Sequence, residues 1–115
     1  GSARLQLVSP SQREVALHVT QSAGTPDQDF ATAESLRAAL SNEPDGVFVD
    51  FNASDVRAGR PAVTYREIRP HRHVAWAVLV DGGVRIAIGC QSAPARGDLV
   101  RDVCDRAIRS AHAVP

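Results

Sequence analysis

The side chains with the most specific chemistry in this chain are two cysteines and four histidines. Cys90 closes an alternating apolar run through Val84, Ile86 and Ile88, while Cys104 falls on an apolar stripe with Val100, Val103, Ala107 and Ala111 at helical spacing. If that helix lies on that strand, the two thiols point into one layer. A bridge would then close a loop of about 15 residues, a constraint that loop entropy values at about 3 kcal/mol. The competing account is two separate buried thiols acting as small hydrophobes, since free cysteine is among the most buried residue types. A catalytic thiol has little support, because there is no Cys-x-x-Cys and no histidine whose spacing assigns it as a base.

His71 and His73 could place two imidazoles on one side of an extended segment, and a third ligand plus a water would make an open zinc site. His18 and His112 are the remaining histidines, and spacing fixes neither of them nearby. The pair therefore reads as rim histidines beside a proline turn, and no metal is expected. Arg57, Arg60, Arg66, Arg69 and Arg72 crowd the same stretch, and with His71 and His73 they form the candidate interaction surface. Such a cluster could clamp carboxylates or phosphates bidentately, or dock an acidic partner. Asp55 and Glu67 dilute it, and solvated charge on strand edges is the plainer account. Trp76 invites ligand stacking but sits in a continuous apolar run and is expected to pack in the core. The pairs Asp45 and Asp50, and Asp102 and Asp105, are assigned no role. No catalytic residue and no cofactor is assigned, and the chain is not expected to be an enzyme.

The elements that position these residues follow from periodicity. Residues 4–8 and 14–21 read as strands, the second with Val15, Leu17 and Val19 alternating against Ala16, His18 and Thr20. Thr25-Pro26 with Asp27 and Asp29 supplies a helix start, and Phe30, Ala33, Leu36 and Leu40 form its apolar stripe over residues 28–40. Residues 47–51 make a short strand, 52–60 a polar loop, and 62–69 another strand closed by Pro70. Residues 74–80 and 84–90 flank Asp81-Gly82-Gly83, a strong hairpin signal. Val74, Trp76, Val78 and Val80 share one face and Ala75, Ala77 and Leu79 the other, so this strand is expected to be covered on both sides. A last helix runs from Asp98 to about Ala111.

The order β-β-α-β-β-β-β-α, with its short links, predicts an α/β (α+β) domain: a mostly antiparallel sheet of about six strands with two helices packed on it. The second helix should cover the face of Ile86, Ile88 and Cys90. The first should cover the opposite one, where Ala75, Ala77, Ala87 and Gly89 leave room.

Composition sets the outer bounds. A chain of 115 residues has room for one core, so a single domain over residues 3–115 is expected, with Gly1-Ser2 read as a cloning remnant. All 13 basic residues are arginine and are balanced by 13 acids, which argues against a nucleic-acid or anionic-membrane footprint. The absence of lysine excludes a Walker loop and Schiff-base chemistry. With no methionine at position 1, the chain reads as an excised domain, and no apolar run approaches a membrane span.

The stretches VALHVTQS, PDGVFVDF, AGRPAVTYREIR, HVAWAVLVDGGVRIAIGCQS and IRSAHAV together resemble the C-terminal domain of actinobacterial type VII secretion-associated proteins, from Leu5 to Val114. No catalytic motif contributes to the likeness. The resemblance implies a longer parent protein with a variable N-terminal region and a membrane-spanning segment ahead of this domain. It also implies an extracytoplasmic location, where oxidation of Cys90 and Cys104 to a disulfide is favoured. Protein partners among the type VII secretion membrane components follow from it, with no nucleic acid, and nothing in it fixes an oligomeric state. The architecture resembles a Mog1/PsbP-like sandwich. The expected function is a non-catalytic, extracytoplasmic protein-interaction domain of a secretion accessory protein. The alternative is a small-ligand or lipid-binding module with a cavity between helix and sheet.

Overall fold

The structure, a computed structural model, describes residues 2–8, 15–23, 28–94 and 96–113, with side chains for 6–8, 15–22, 33–94 and 96–113. Six strands, β1 (Ser2–Val8), β2 (Ala16–Ala23), β3 (Phe48–Arg57), β4 (Arg60–Arg69), β5 (Arg72–Asp81) and β6 (Val84–Ser92), form one antiparallel sheet in the order β1-β2-β6-β5-β4-β3. Helix α1 (Gln28–Leu40) links β2 to β3, and α2 (Arg101–Ser110) follows β6. The first helix has the expected bounds. Its start signal at Thr25-Pro26-Asp27, like the link from Ser9 to Gln12, lies outside the described residues, as does the side chain of Phe30.

Period-two alternation on the central strands divides the sheet into two faces. Directly opposed residues share a face, so the pairs Ala75 with Cys90, Ala77 with Ile88 and Leu79 with Ile86 all stand together on one side. That side carries the main core, where Leu17, Leu79, Ile86 and Ile88 pack against Val100, Cys104 and Ile108 of the closing segment. The expectation that Ala75 and Ala77 face the first helix is thereby corrected: cross-strand register puts them beneath α2. Ala87 and Gly89 do belong to the other face, opposite Val78 and Trp76. There a smaller core joins Ala33 and Leu36 of α1 to Val63, Val78, Phe51 and Tyr65.

The residues expected as a polar loop, 52–60, are instead mostly strand. β3 continues to Arg57 by absorbing two register shifts, between Val49 and Asn52 and between Asn52 and Asp55. Bulges of this kind let polar residues sit in a strand without matching the alternation of its neighbour. Asp50 takes a positive φ of 58°, Asn52 Oδ1 accepts the Ser54 N–H at 3.0 Å, and Asp55 Oδ2 accepts the Thr64 hydroxyl at 2.6 Å. The strand ends in a two-residue turn at Ala58-Gly59, both with positive φ, and the β5–β6 hairpin closes through Gly82-Gly83 in the same manner.

The last helix also begins later than expected. A 3-10 turn occupies Gly97–Leu99 before α2 starts at Arg101. Its buried stripe is Val100, Cys104 and Ile108, one residue per turn, with Val103 left 42% exposed on the outer flank. The Cys90–Cys104 disulfide is formed, with a Cα separation of 5.9 Å, and it joins β6 to α2. The other end of α2 is held by Arg60, whose guanidinium donates to the carbonyls of Ile108 at 2.7 Å and Ala111 at 2.6 Å. Beyond it, the Ala113 N–H donates to Asp81 Oδ2 at 2.7 Å.

Candidate functional site

The sheet disperses the arginine cluster, because neighbours in sequence point to opposite faces. Arg60 is spent on the C-terminal carbonyls of α2. Arg69 and Arg72, opposed across the Pro70-His71 turn, lie on the α1 face and converge on Glu67. Arg57, Arg66 and His73 reach the α2 face and line a cavity with Arg101, which the sequence reading left out. His71 sits exposed in the turn. Among the described residues no group of three metal-ligating side chains comes together.

On the α1 face an aromatic row crosses the sheet. His18 on β2, Trp76 on β5 and Tyr65 on β4 follow one another at ring separations of 6.2 and 6.4 Å. Tyr65 then meets Phe48 at 5.7 Å and Phe51 at 6.5 Å on β3. β6 lies between His18 and Trp76 and contributes no ring because its residue there is Gly89. A Cβ at Gly89 would stand 2.6 Å from the Trp76 six-membered ring, so the indole lies directly on the glycine backbone. Trp76 is therefore not a core residue as expected: all five rings of the row are half-buried, and α1 covers only part of this face. Guanidinium groups border the row, with Arg37 4.8 Å from the Phe51 ring centre and Arg69 5.9 Å from that of Phe48.

Glu67 organises this surface. Only 8% exposed, it accepts the Trp76 indole N–H at 2.9 Å through Oε1 and the Arg69 Nε–H at 2.7 Å through Oε2, with Arg72 at 4.0 Å. Burial alone would push its carboxyl up. The hydrogen bonds from Arg69 and Trp76 and the charges of Arg69 and Arg72 outweigh that, and hold it below the ordinary carboxyl value. Burial raises the Tyr65 hydroxyl to about 12, helped by the nearby Glu67 charge. His18 and Gln91 pair across β2 and β6 at 2.8 Å. From sequence Glu67 only dilutes the arginines and Gly89 only leaves room for the first helix; strand pairing shows instead that both serve the Trp76 ring.

An open groove of about 260 Å³ lies among Ala53, Val56, Pro61, Val63, Val78 and Val80.

Comparison with solved structures bears on the architecture. CyanoP, the cyanobacterial PsbP of Synechocystis, superimposes with a TM-score of 0.56 at 16% identity, covering 99% of this chain and 82% of its own. A Pseudomonas aeruginosa protein of unknown function, described as a putative regulator, gives 0.61 at 17% identity, covering 100% of this chain and 84% of its own. The fold is PsbP-like. No known protein family and no curated protein matches the sequence, so the likeness concerns architecture alone. On this PsbP-like fold the aromatic row and the cation-lined cavity occupy opposite faces of one sheet.

Proposed function

We propose that this chain is a non-catalytic, extracytoplasmic protein-interaction domain that docks through the α1 face. The observation that carries the reading is the half-exposed row of Trp76, Tyr65 and Phe48 bordered by Arg69 and Arg72. Tryptophan, tyrosine and arginine dominate binding hot spots, because each adds large contact area together with a polar handle. Glu67 locks Trp76 and Arg69 in place, so little side-chain freedom remains to be lost on binding. The β3 edge of the sheet is a weaker candidate: its two bulges spoil it as a template for strand addition.

The disulfide supports an oxidising compartment, since such bridges persist outside the cytoplasm. Placement in a membrane-anchored type VII secretion accessory protein, with membrane components of that system as partners, rests on the sequence resemblance alone. The alternative of a lipid or apolar ligand between helix and sheet has less support, because enclosed ligand cavities generally exceed about 300 Å³.

The test is cross-linking in the intact parent protein. Amine-directed reagents are blind to a chain without lysine, so a photo-cross-linking residue is placed at Arg72 and, as a control on the far side, at Val103. Adducts to secretion membrane components at the first position and not the second are expected, and Arg69→Glu should remove them. Equal labelling from both positions would refute docking by the α1 face.

A further inference from the structure

We propose that the cavity on the opposite, α2 face binds an oxyanion of the phosphate class. This inference is independent of the docking reading, which concerns the other side of the sheet. The cavity holds about 210 Å³, room for a phosphate group and its first substituent atoms. Arg57, Arg66, Arg101 and His73 surround it, Ser92 forms part of its floor, and the Cys90–Cys104 bridge forms part of its wall.

Three separate features point to an anion. The first is an excess of positive charge at the cavity, only partly offset from outside it. The cavity lining includes no carboxylate, and neither Arg57 nor Arg101 forms a salt bridge among the described residues. Arg57 lies near enough to Asp55 to help lower its carboxyl, and Arg66 shares the exposed Asp50 at 3.3 Å. The second is Ser92, which is 3% exposed and faces the cavity. Its hydroxyl makes no hydrogen bond among the described residues, whereas buried polar groups in folded proteins nearly always find a partner. The third is the start of α2, where no side chain caps the helix. The Val100 N–H is taken up by the Gly97 carbonyl at 3.2 Å and the Cys104 N–H by the Val100 carbonyl at 2.9 Å, which leaves Arg101, the first residue of α2, to bring its amide to the cavity at the positive end of the helix, with Asp102 the acid of that first turn.

These donors also select the kind of anion. A carboxylate brings two oxygens and a single charge, which one guanidinium fork satisfies. Three guanidinium groups, a hydroxyl and the Arg101 amide arranged about a concavity call for more oxygens and more charge, and a phosphate supplies both. The disulfide fixes the distance between the Ser92 strand and the Arg101 helix, so the donors are held in place before the anion arrives.

The experiment titrates the oxidised protein with inorganic phosphate, glycerol phosphate and acetate, following amide resonances by NMR. Saturable shifts at Ser92, Val100 and Arg101 are expected, with phosphate at least about tenfold tighter than acetate. Arg57→Gln and Arg101→Gln should each weaken phosphate binding by about tenfold, and Ser92→Ala should weaken it while leaving the rest of the spectrum in place. Glycerol phosphate binding as well as phosphate identifies an ester as the natural form, and weaker binding identifies the free anion; both fall within the class. Acetate binding as tightly as phosphate, shifts that never saturate, or a double Arg57→Gln/Arg101→Gln variant with unchanged affinity would each overturn the assignment.

Discussion

Gly89 is the residue on which the α1 face depends. Adding one methyl there forces the Trp76 indole off the sheet, breaking its hydrogen bond to Glu67 and its stacking on Tyr65. Gly89→Ala should therefore destabilise the fold by about 1–3 kcal/mol, the usual range for overpacking, and shift the emission of the single tryptophan. A stability change below the error of a denaturant melt would mean that the ring relocates at no cost. Glu67 makes a second prediction, with a definite sign. Its carboxyl titrates lower in the folded chain than its ordinary value of 4.5, so the stability it contributes is fully present above that value. That contribution is lost as pH falls through the lowered folded value. Glu67→Gln should cost about 2 kcal/mol near neutral pH, in line with hydrogen bonds to charged groups. The gap between the two proteins should close in melts taken at progressively more acidic pH below 4.5.

At the scale of elements, α2 is tethered at both ends, and each tether can be cut separately. Replacing Cys90 and Cys104 by alanine removes the constraint on the 14-residue separation between them and should lower stability by about 3 kcal/mol. The same loss on adding reductant to the native protein would assign it to the bridge instead of to the lost sulfur atoms. Arg60→Ala frees the carbonyls of Ile108 and Ala111 and should cost about 1.5–3 kcal/mol. Hydrogen exchange then reports where: amides in the last turn of α2 should lose protection while β5 and β6 keep theirs.

The difference between these two tethers shows what sequence can reveal at this scale. Periodicity brings Cys90 and Cys104 into one layer, so their meeting was readable. Nothing local marks Arg60 as the cap of a helix 48 positions further along. The bulged half of β3 was unreadable for a related reason, since its polar residues satisfy each other and the neighbouring strand through contacts that have no period.

For the molecule as a whole, strand number, helix order and the β5–β6 hairpin were legible because each rests on local alternation or turn chemistry, whereas the β3–β4 hairpin lay hidden in the expected polar loop. The division of the sheet into faces was not, because it depends on which residue of one strand stands opposite which of the next. That register moved Ala75 and Ala77 beneath α2 and split the arginines into a helix cap, a clamp on Glu67 and the rim of a cavity. Trp76 was expected inside because its strand is apolar on both faces, but the α1 core gathers on Val63, Val78 and Phe51 and does not include the indole. The bridge between β6 and the closing helix has one further result. Arg96 and Arg101 lie between the two bonded sulfurs. A trypsin nick after either one would divide the backbone without parting the fragments, which should migrate as a single species until a thiol is added and only then fall into two bands.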